Sequence, residues 1–175
     1  MRHSTLALAL ALTLHLPACG GDDELDRDVV TSIPPGNAAG SAASGTYSLQ
    51  IRTVSCTGAC PTYKVLGFTV SLCSVGDSDS ETVKVTQTDG VLDVSEIGSS
   101  LYVEQLRGGI NQDGTFDVGG YQIQSGTSVA VTARAQGTIN PGGTLVGSAR
   151  AKGTGSYDGQ NIACTGSFEI SGQRH

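Results

Sequence analysis

From Ser128 to Ile139 the chain alternates. Val129, Val131, Ala133, Ala135 and Ile139 share one parity, and Ser128, Thr132, Arg134, Gln136 and Thr138 share the other. A period of two belongs to an extended strand with one buried and one wet face. The same pattern predicts strands over Thr46–Ser55 (Tyr47, Leu49 and Ile51 inward), Lys64–Cys73 (Phe68, Val70, Leu72), Glu81–Thr88 (Val83, Val85) and Ile162–Ile170 (Ile162, Cys164, Phe168, Ile170). No segment beyond Gly45 sustains a helical period.

Turn signals separate these runs. Asp89-Gly90, Asp113-Gly114 and Asp158-Gly159 suit backbone positions of positive φ and mark hairpins. "INQDGTF" (Ile110–Phe116) and "INPGGTL" (Ile139–Leu145) repeat one turn design. Successive hairpins at short spacing predict an all-β fold, an antiparallel up-and-down meander of about eight or nine strands. Closing such a sheet into a barrel, or nearly so, removes its exposed edges; a β-sandwich is the alternative.

Between Thr144 and Tyr157 the inward parity reads Leu145, Gly147, Ala149, Ala151, Gly153 and Gly155. Small inward groups either leave room for a ligand or accept bulky neighbours across a narrow core. With three Phe, five Tyr and no Trp, the chain is poor in the large groups that line apolar pockets. A narrow, filled core is the expectation.

The chain's beginning is different. The apolar run Thr5–Leu16, after Arg2 and His3, has about 12 residues, short of the ~20 a membrane-crossing helix needs. A positive start, a short apolar core and a small residue are the layout of a secretory leader, here residues 1–18. Leu16-Pro17-Ala18-Cys19 resembles the lipobox of bacterial lipoproteins, although Pro17 stands where a small residue is usual. That resemblance implies a diacylglyceryl group on the Cys19 thiol, cleavage before it and acylation of the new amino terminus. Several acyl chains, at about 0.8 kcal/mol per buried methylene, would hold the protein to a membrane. The implied address is a bacterial envelope membrane, the outer one, with the polypeptide exported.

Residues 19–45 are rich in Gly, Ala, Ser and Asp and contain no aromatic residue. Such a composition buries too little apolar surface to order itself, and it reads as a lipidated Cys followed by a disordered, acidic tether. Residues 46–175 are then one domain of ordinary size. The whole chain has a formal charge of −6, and losing Arg2 with the leader makes it more negative. Nucleic acid is a poor partner for such a protein, because binding it rests on neutralising phosphates.

Gly45-Thr46-Tyr47 opens the first strand and Arg174 follows the last. The pair resembles lipocalin-like (calycin) barrels, where a Gly-x-Trp on the first strand is covered by an Arg near the chain's end. Here Tyr47 replaces the Trp. The resemblance implies a barrel closed by a Tyr47–Arg174 pair, the cation lying over the ring; it implies no particular ligand.

Setting Cys19 aside leaves Cys56, Cys60, Cys73 and Cys164, an even number that an oxidising compartment would pair. Three pairings are open. Cys56–Cys60 with Cys73–Cys164 is favoured, while pairing of the first strand with the last would favour Cys56–Cys164. The Cys56-to-Cys60 spacing is not the two-residue spacing of thioredoxin-type sites. Past the leader the only histidine is His175, which disfavours both a zinc centre and a His-based catalytic triad. Asp77, Asp79, Glu81 and Asp113 fall in apparent turns, where Asp serves the backbone. Arg134, Arg150 and Lys152 lie on wet faces of neighbouring strands, with Arg134 and Arg150 brought together by the Asn140–Gly143 turn. They are a candidate anion- or partner-binding patch, or a solvated face matched by acids on adjacent strands.

Neither catalytic residues, a cofactor nor a metal is expected. The functional expectation is a non-enzymatic binding or structural lipoprotein, meeting the membrane through its anchor and an envelope protein as partner. One alternative is a lipocalin-like carrier of a small apolar ligand, which a sizeable interior cavity would favour. The other is a carboxylate-dependent hydrolase, which two close, pocket-lining acids would favour.

Overall fold

A strand hydrogen-bonded along both edges closes the sheet. β1 (Gly45–Ala59) runs antiparallel to β10 (Gln160–Arg174) on one side and to β4 (Ser78–Thr88) on the other. The circuit is completed by β5 (Val91–Glu96), β6 (Gln105–Ile110), β7 (Thr115–Ile123), β8 (Ala130–Ile139) and β9 (Thr144–Tyr157), each paired antiparallel with its sequence neighbours. The computed structural model describes residues 22–65, 68–71, 73–96, 103–125 and 127–175. Over these the fold is an eight-stranded, up-and-down closed barrel. Cys19 and the leader lie outside the described residues.

Directly opposed residues share a face of the sheet, so the register sorts inside from outside. Tyr47, Leu49 and Ile51 oppose Arg174, Gly172 and Ile170, and Ala149 stands between Ala135 and Phe168. The inward set is largely apolar: Tyr47, Val83, Val85, Leu92, Val118 and their neighbours form the main core, with a second cluster of Val103, Val129, Val131, Ile162 and Cys164. The outward set carries the ion pairs Arg52–Glu169, Arg107–Asp93 and Arg134–Asp117. A largely apolar inside and a charged outside are the reverse of a membrane-spanning barrel.

One end of the barrel is sealed. The two echoed turns adopt one geometry: Asn111 N–H donates to the Thr115 carbonyl and Gly114 N–H to that of Asn111, and Asn140, Thr144 and Gly143 repeat the pattern. Gly114 and Gly143 share φ of 82°, a left-handed value that costs a glycine little. Across this end run residues 38–44, held by Ala43 N–H to Gln87 Oε1 (2.8 Å), Gly40 N–H to Asp89 Oδ1 (3.0 Å) and Tyr47 O–H to the Ala43 carbonyl (2.9 Å). Gln87 is itself buried and spends its amide N–H on the Asp89 carbonyl (3.0 Å).

The stretch expected to be a disordered tether is therefore ordered, as far as it is described. Asp22–Leu25 forms a 3₁₀ turn and Arg27–Val30 (α1) one helical turn, after which the chain lies across the outer wall as a strap. Leu25 and Val30 are 1 % and 0 % exposed. The wall is cut to receive it: a Cβ on Gly119 would fall 2.5 Å from the Val30 carbonyl oxygen, and one on Gly109 2.5 Å from that of Pro34. Gly36 N–H then donates to Gly90 O, and Ala38 N–H to Ile110 O. A few apolar residues suffice because barrel strands supply the other half of the surface. The boundary drawn at residue 45 thus moves back at least to Asp22.

Two further expectations are corrected. The run Lys64–Cys73 is not one strand: β2 (Thr62–Val65) and β3 (Phe68–Ser71) pair with each other outside the barrel circuit. Val65 opposes Phe68 at the end of that pairing. The disulfides are Cys56–Cys73 and Cys60–Cys164, none of the pairs favoured from sequence. Beyond the β1 irregularity between Thr53 and Ser55, Cys56 opposes Gly166 and Gly58 opposes Cys164. That register carries Cys60 past Cys164 and leaves Cys56 for the returning chain. Closing a loop of 104 residues constrains the unfolded chain by roughly 5 kcal/mol in the entropic account.

A docked strap and a loose tether differ in energy. Leu25→Ala should lower the unfolding free energy by about 2 kcal/mol or more, read by urea denaturation of the disulfide-bonded protein. A change within about 0.5 kcal/mol, usual for surface positions, would mean that the strap is not docked.

Candidate functional site

The core expected to be filled has room in it. An interior chamber of about 300 Å³ lies among Leu49, Val83, Leu92, Leu106, Val118 and Ile139. A second space of about 420 Å³ is bounded by Val129, Val131, Ile162 and Cys164, with Gln124, Ser125, Thr127 and Tyr157 also around it. Ala151 and Phe168 line both, so the two stand in file within the lumen. The inward residues of β9 explain the vacancy. Gly147, Ala149, Ala151 and Gly153 face Gly137, Ala135, Ala133 and Val131 across the β8–β9 ladder, and little side-chain volume projects from that wall. An eight-stranded barrel is just wide enough for side chains to fill or for one small ligand, and here small side chains tip the balance toward space.

The second space lies toward the end opposite the sealed one. Here the Asp158-Gly159 hairpin joins β9 to β10, with φ of 49° and 74°. Cys73 and Cys164, one from each disulfide, line this space, so both cross-links brace the same rim.

Asp79 and Glu81 were expected in turns, but β4 begins at Ser78 and both residues line the inner chamber. In register they oppose Ile51 and Leu49, both inward. Sequence reading missed them because the run Ser78–Ser80 is wholly polar and masks the alternation that starts at Glu81. Asp113 is a turn residue, accepting from Thr115 N–H (2.9 Å) and Oγ1–H (2.6 Å); these bonds hold its carboxyl below the ordinary value. Among the described residues no cluster of three or more His, Cys, Asp or Glu could hold a metal ion.

Tyr47 and Arg174 stand opposite one another at the sealed end. Tyr47 is 0 % exposed; burial pushes its phenol up, with the charge of Arg174 working against it. The guanidinium donates to the carbonyls of Ala42 (2.6 Å) and Ser44 (3.4 Å), so it ties the strap to the last strand. Among the described residues a cation–ring contact lies elsewhere, with Arg27 4.4 Å from the Tyr121 ring centroid.

Arg134 and Arg150 are direct cross-strand partners, and Lys152 opposes Thr132 and Thr165. Acids answer the arginines. Asp117 accepts from Arg134 Nε (2.9 Å) and Nη2 (2.6 Å) and from Gln136 (3.0 Å), while Glu24 of the strap pairs with Arg150. The candidate anion patch is thus a matched wall on which the strap rests.

Partial burial pushes the Asp117 carboxyl up, but the hydrogen bonds from Arg134 and Gln136 and the Arg134 charge outweigh it and hold it below the usual range. Its folded value is below the unfolded one, so its stabilisation is present above the unfolded value of about 4 and fades as pH falls through the folded one. Asp117→Asn should cost about 1 kcal/mol at neutral pH and flatten the loss of stability under acid; equal pH profiles for the two proteins would contradict the assignment. Comparisons with protein-family models, curated proteins and solved structures return no match.

Proposed function

We propose that this protein is an exported, lipid-anchored binding protein that carries a small apolar ligand in its barrel. The observation that carries the reading is the pair of apolar chambers in file inside a closed barrel. Empty apolar volume forfeits packing contacts, and a ligand would restore them. Pockets that hold small molecules have this character, concave and apolar with a few polar groups. Two disulfides support an oxidising compartment, in keeping with the leader and with acylation at Cys19. The likeness to calycin barrels, drawn from Tyr47 and Arg174, agrees with the closed circuit of strands.

The hydrolase reading rests on Asp79 and Glu81. Both project from one strand on one wall, whereas a hydrolytic pair flanks the bond it cleaves. The ligand-carrier reading therefore stands ahead of it, and ahead of a purely structural role.

Native mass spectrometry of the unreduced protein from its own envelope should show a mass excess that is lost on unfolding. No excess, together with no uptake of a neutral apolar dye, would sink the carrier reading. Separately, Cys19→Ser should move the protein from the membrane fraction to the soluble one; unchanged sedimentation would sink the anchor.

A further inference from the structure

The shape and charge of the lumen narrow the ligand further, on the premise that the barrel is a carrier. We infer that the ligand is a single-chain amphiphile whose head bears no negative charge, its tail passing Phe168 into the inner chamber and its head remaining among the neutral groups of the outer one. The waist is the first argument. Phe168 stands on β10 opposite Ala149, and its ring lies over Gly166: a Cβ there would fall 2.6 Å from the ring's Cζ and 3.3 Å from the Cys73 sulfur. The ring therefore reaches from the inner chamber toward the outer one, and Ala151 is the small residue shared with it at the junction. A branched or polycyclic body would be stopped at this waist, whereas a linear chain needs only a small rotation of one ring.

Length is the second argument. From Leu145 to Gly153 the inward wall of β9 that lines the chambers runs about 26 Å at the usual rise per residue, or about 20 Å along the axis at a usual strand tilt. Only an extended chain meets apolar surface over such a distance, and the inner chamber is sealed at its far end by the turns and residues 38–44.

Charge is the third. Among the described residues, the outer chamber is lined by no ionisable side chain other than Tyr157; its polar members are Gln124, Ser125 and Thr127 beside apolar ones. Asp79, which is exposed, and Glu81, which is half-buried, line the inner chamber. Arg150 borders that chamber as well, but it opposes Arg134 on the outer face and its guanidinium meets Glu24. An anionic head would thus sit beside neutral dipoles and acids, with no cation among the described lining residues to compensate it.

The test uses the disulfide-bonded full chain carrying Cys19→Ser, so that no acyl chain competes. Binding of n-alkanols from hexanol to hexadecanol, and of carboxylic acids of the same lengths, is measured by isothermal titration calorimetry. Affinity for the alkanols should rise about fourfold per methylene and still be rising at dodecanol, and each acid should bind at least tenfold more weakly than its alcohol at neutral pH. Ala151→Leu should halt the rise at a shorter chain while sparing hexanol, and Phe168→Ala, which widens the waist, should admit branched alcohols. A plateau at short chains in the parent protein would overturn the continuous-lumen inference, and acids binding as tightly as alcohols would overturn the head assignment. Alkanol binding with either result leaves the carrier reading standing; no binding of any alkanol overturns this inference, and the carrier reading then falls only if the mass excess and dye uptake are absent too.

Discussion

Closure of the sheet is the constraint from which the rest of this structure follows. Once β1 pairs with both β4 and β10, the barrel's girth is set by eight strands, and the lumen can change only through the side chains that face it. Bulky residues gather on the β1, β4 and β5 walls, where Tyr47, Leu49, Val83, Val85 and Leu92 meet. Glycine and alanine gather on the β8–β9 wall. The empty volume is thus a difference in residue size between two walls of one closed ring, and it requires no distortion of the ladder.

The same preference for small residues works on the outside. Gly109 and Gly119 let the strap approach β6 and β7 more closely than any side chain would permit, and the strap's last residues then seal the barrel beneath Tyr47 and Arg174. Two polar arrangements secure it: Glu24 with Arg150, in reach of Arg134 and Asp117, and the bonds of Gln87, Asp89 and Arg174 to residues 40–44. The main contribution of the first is to match charges already present on the wall, since exposed ion pairs stabilise little by themselves. Leu25 and Val30 supply the burial.

Local chemistry made much of the barrel legible in the sequence. Alternation located β1, β8 and β10, Asp-Gly and Asn-x-Gly-Gly turns located their hairpins, and counting outward from the Asn140–Gly143 turn was enough to bring Arg134 opposite Arg150. What escaped was decided between distant parts of the chain. The strap has no periodicity of its own, because its partners are glycines some eighty residues on. The disulfides depend on a one-residue irregularity near Thr53 that shifts Cys56 and Cys60 relative to β10. The cavity was half legible: the small inward residues of β9 could be read, but whether bulky neighbours filled the space depended on which strands faced them.

Pairing the first barrel strand with the last also governs the order in which the molecule can be made. As the chain emerges from a ribosome or a translocation pore, β1 appears early and β10 at the very end, so one edge of the growing sheet stays open until synthesis or transport is complete. Open edges are templates for wrong pairing, and contacts this distant in sequence form slowly. The two cross-links divide along the same line. Cys56 and Cys73 emerge close together and are oxidisable while the sheet is incomplete, whereas Cys60 must wait as a free thiol for Cys164. A cell that makes this barrel has to keep that thiol from bonding elsewhere until the final strand arrives, so correct assembly is a matter of timing as much as of stability.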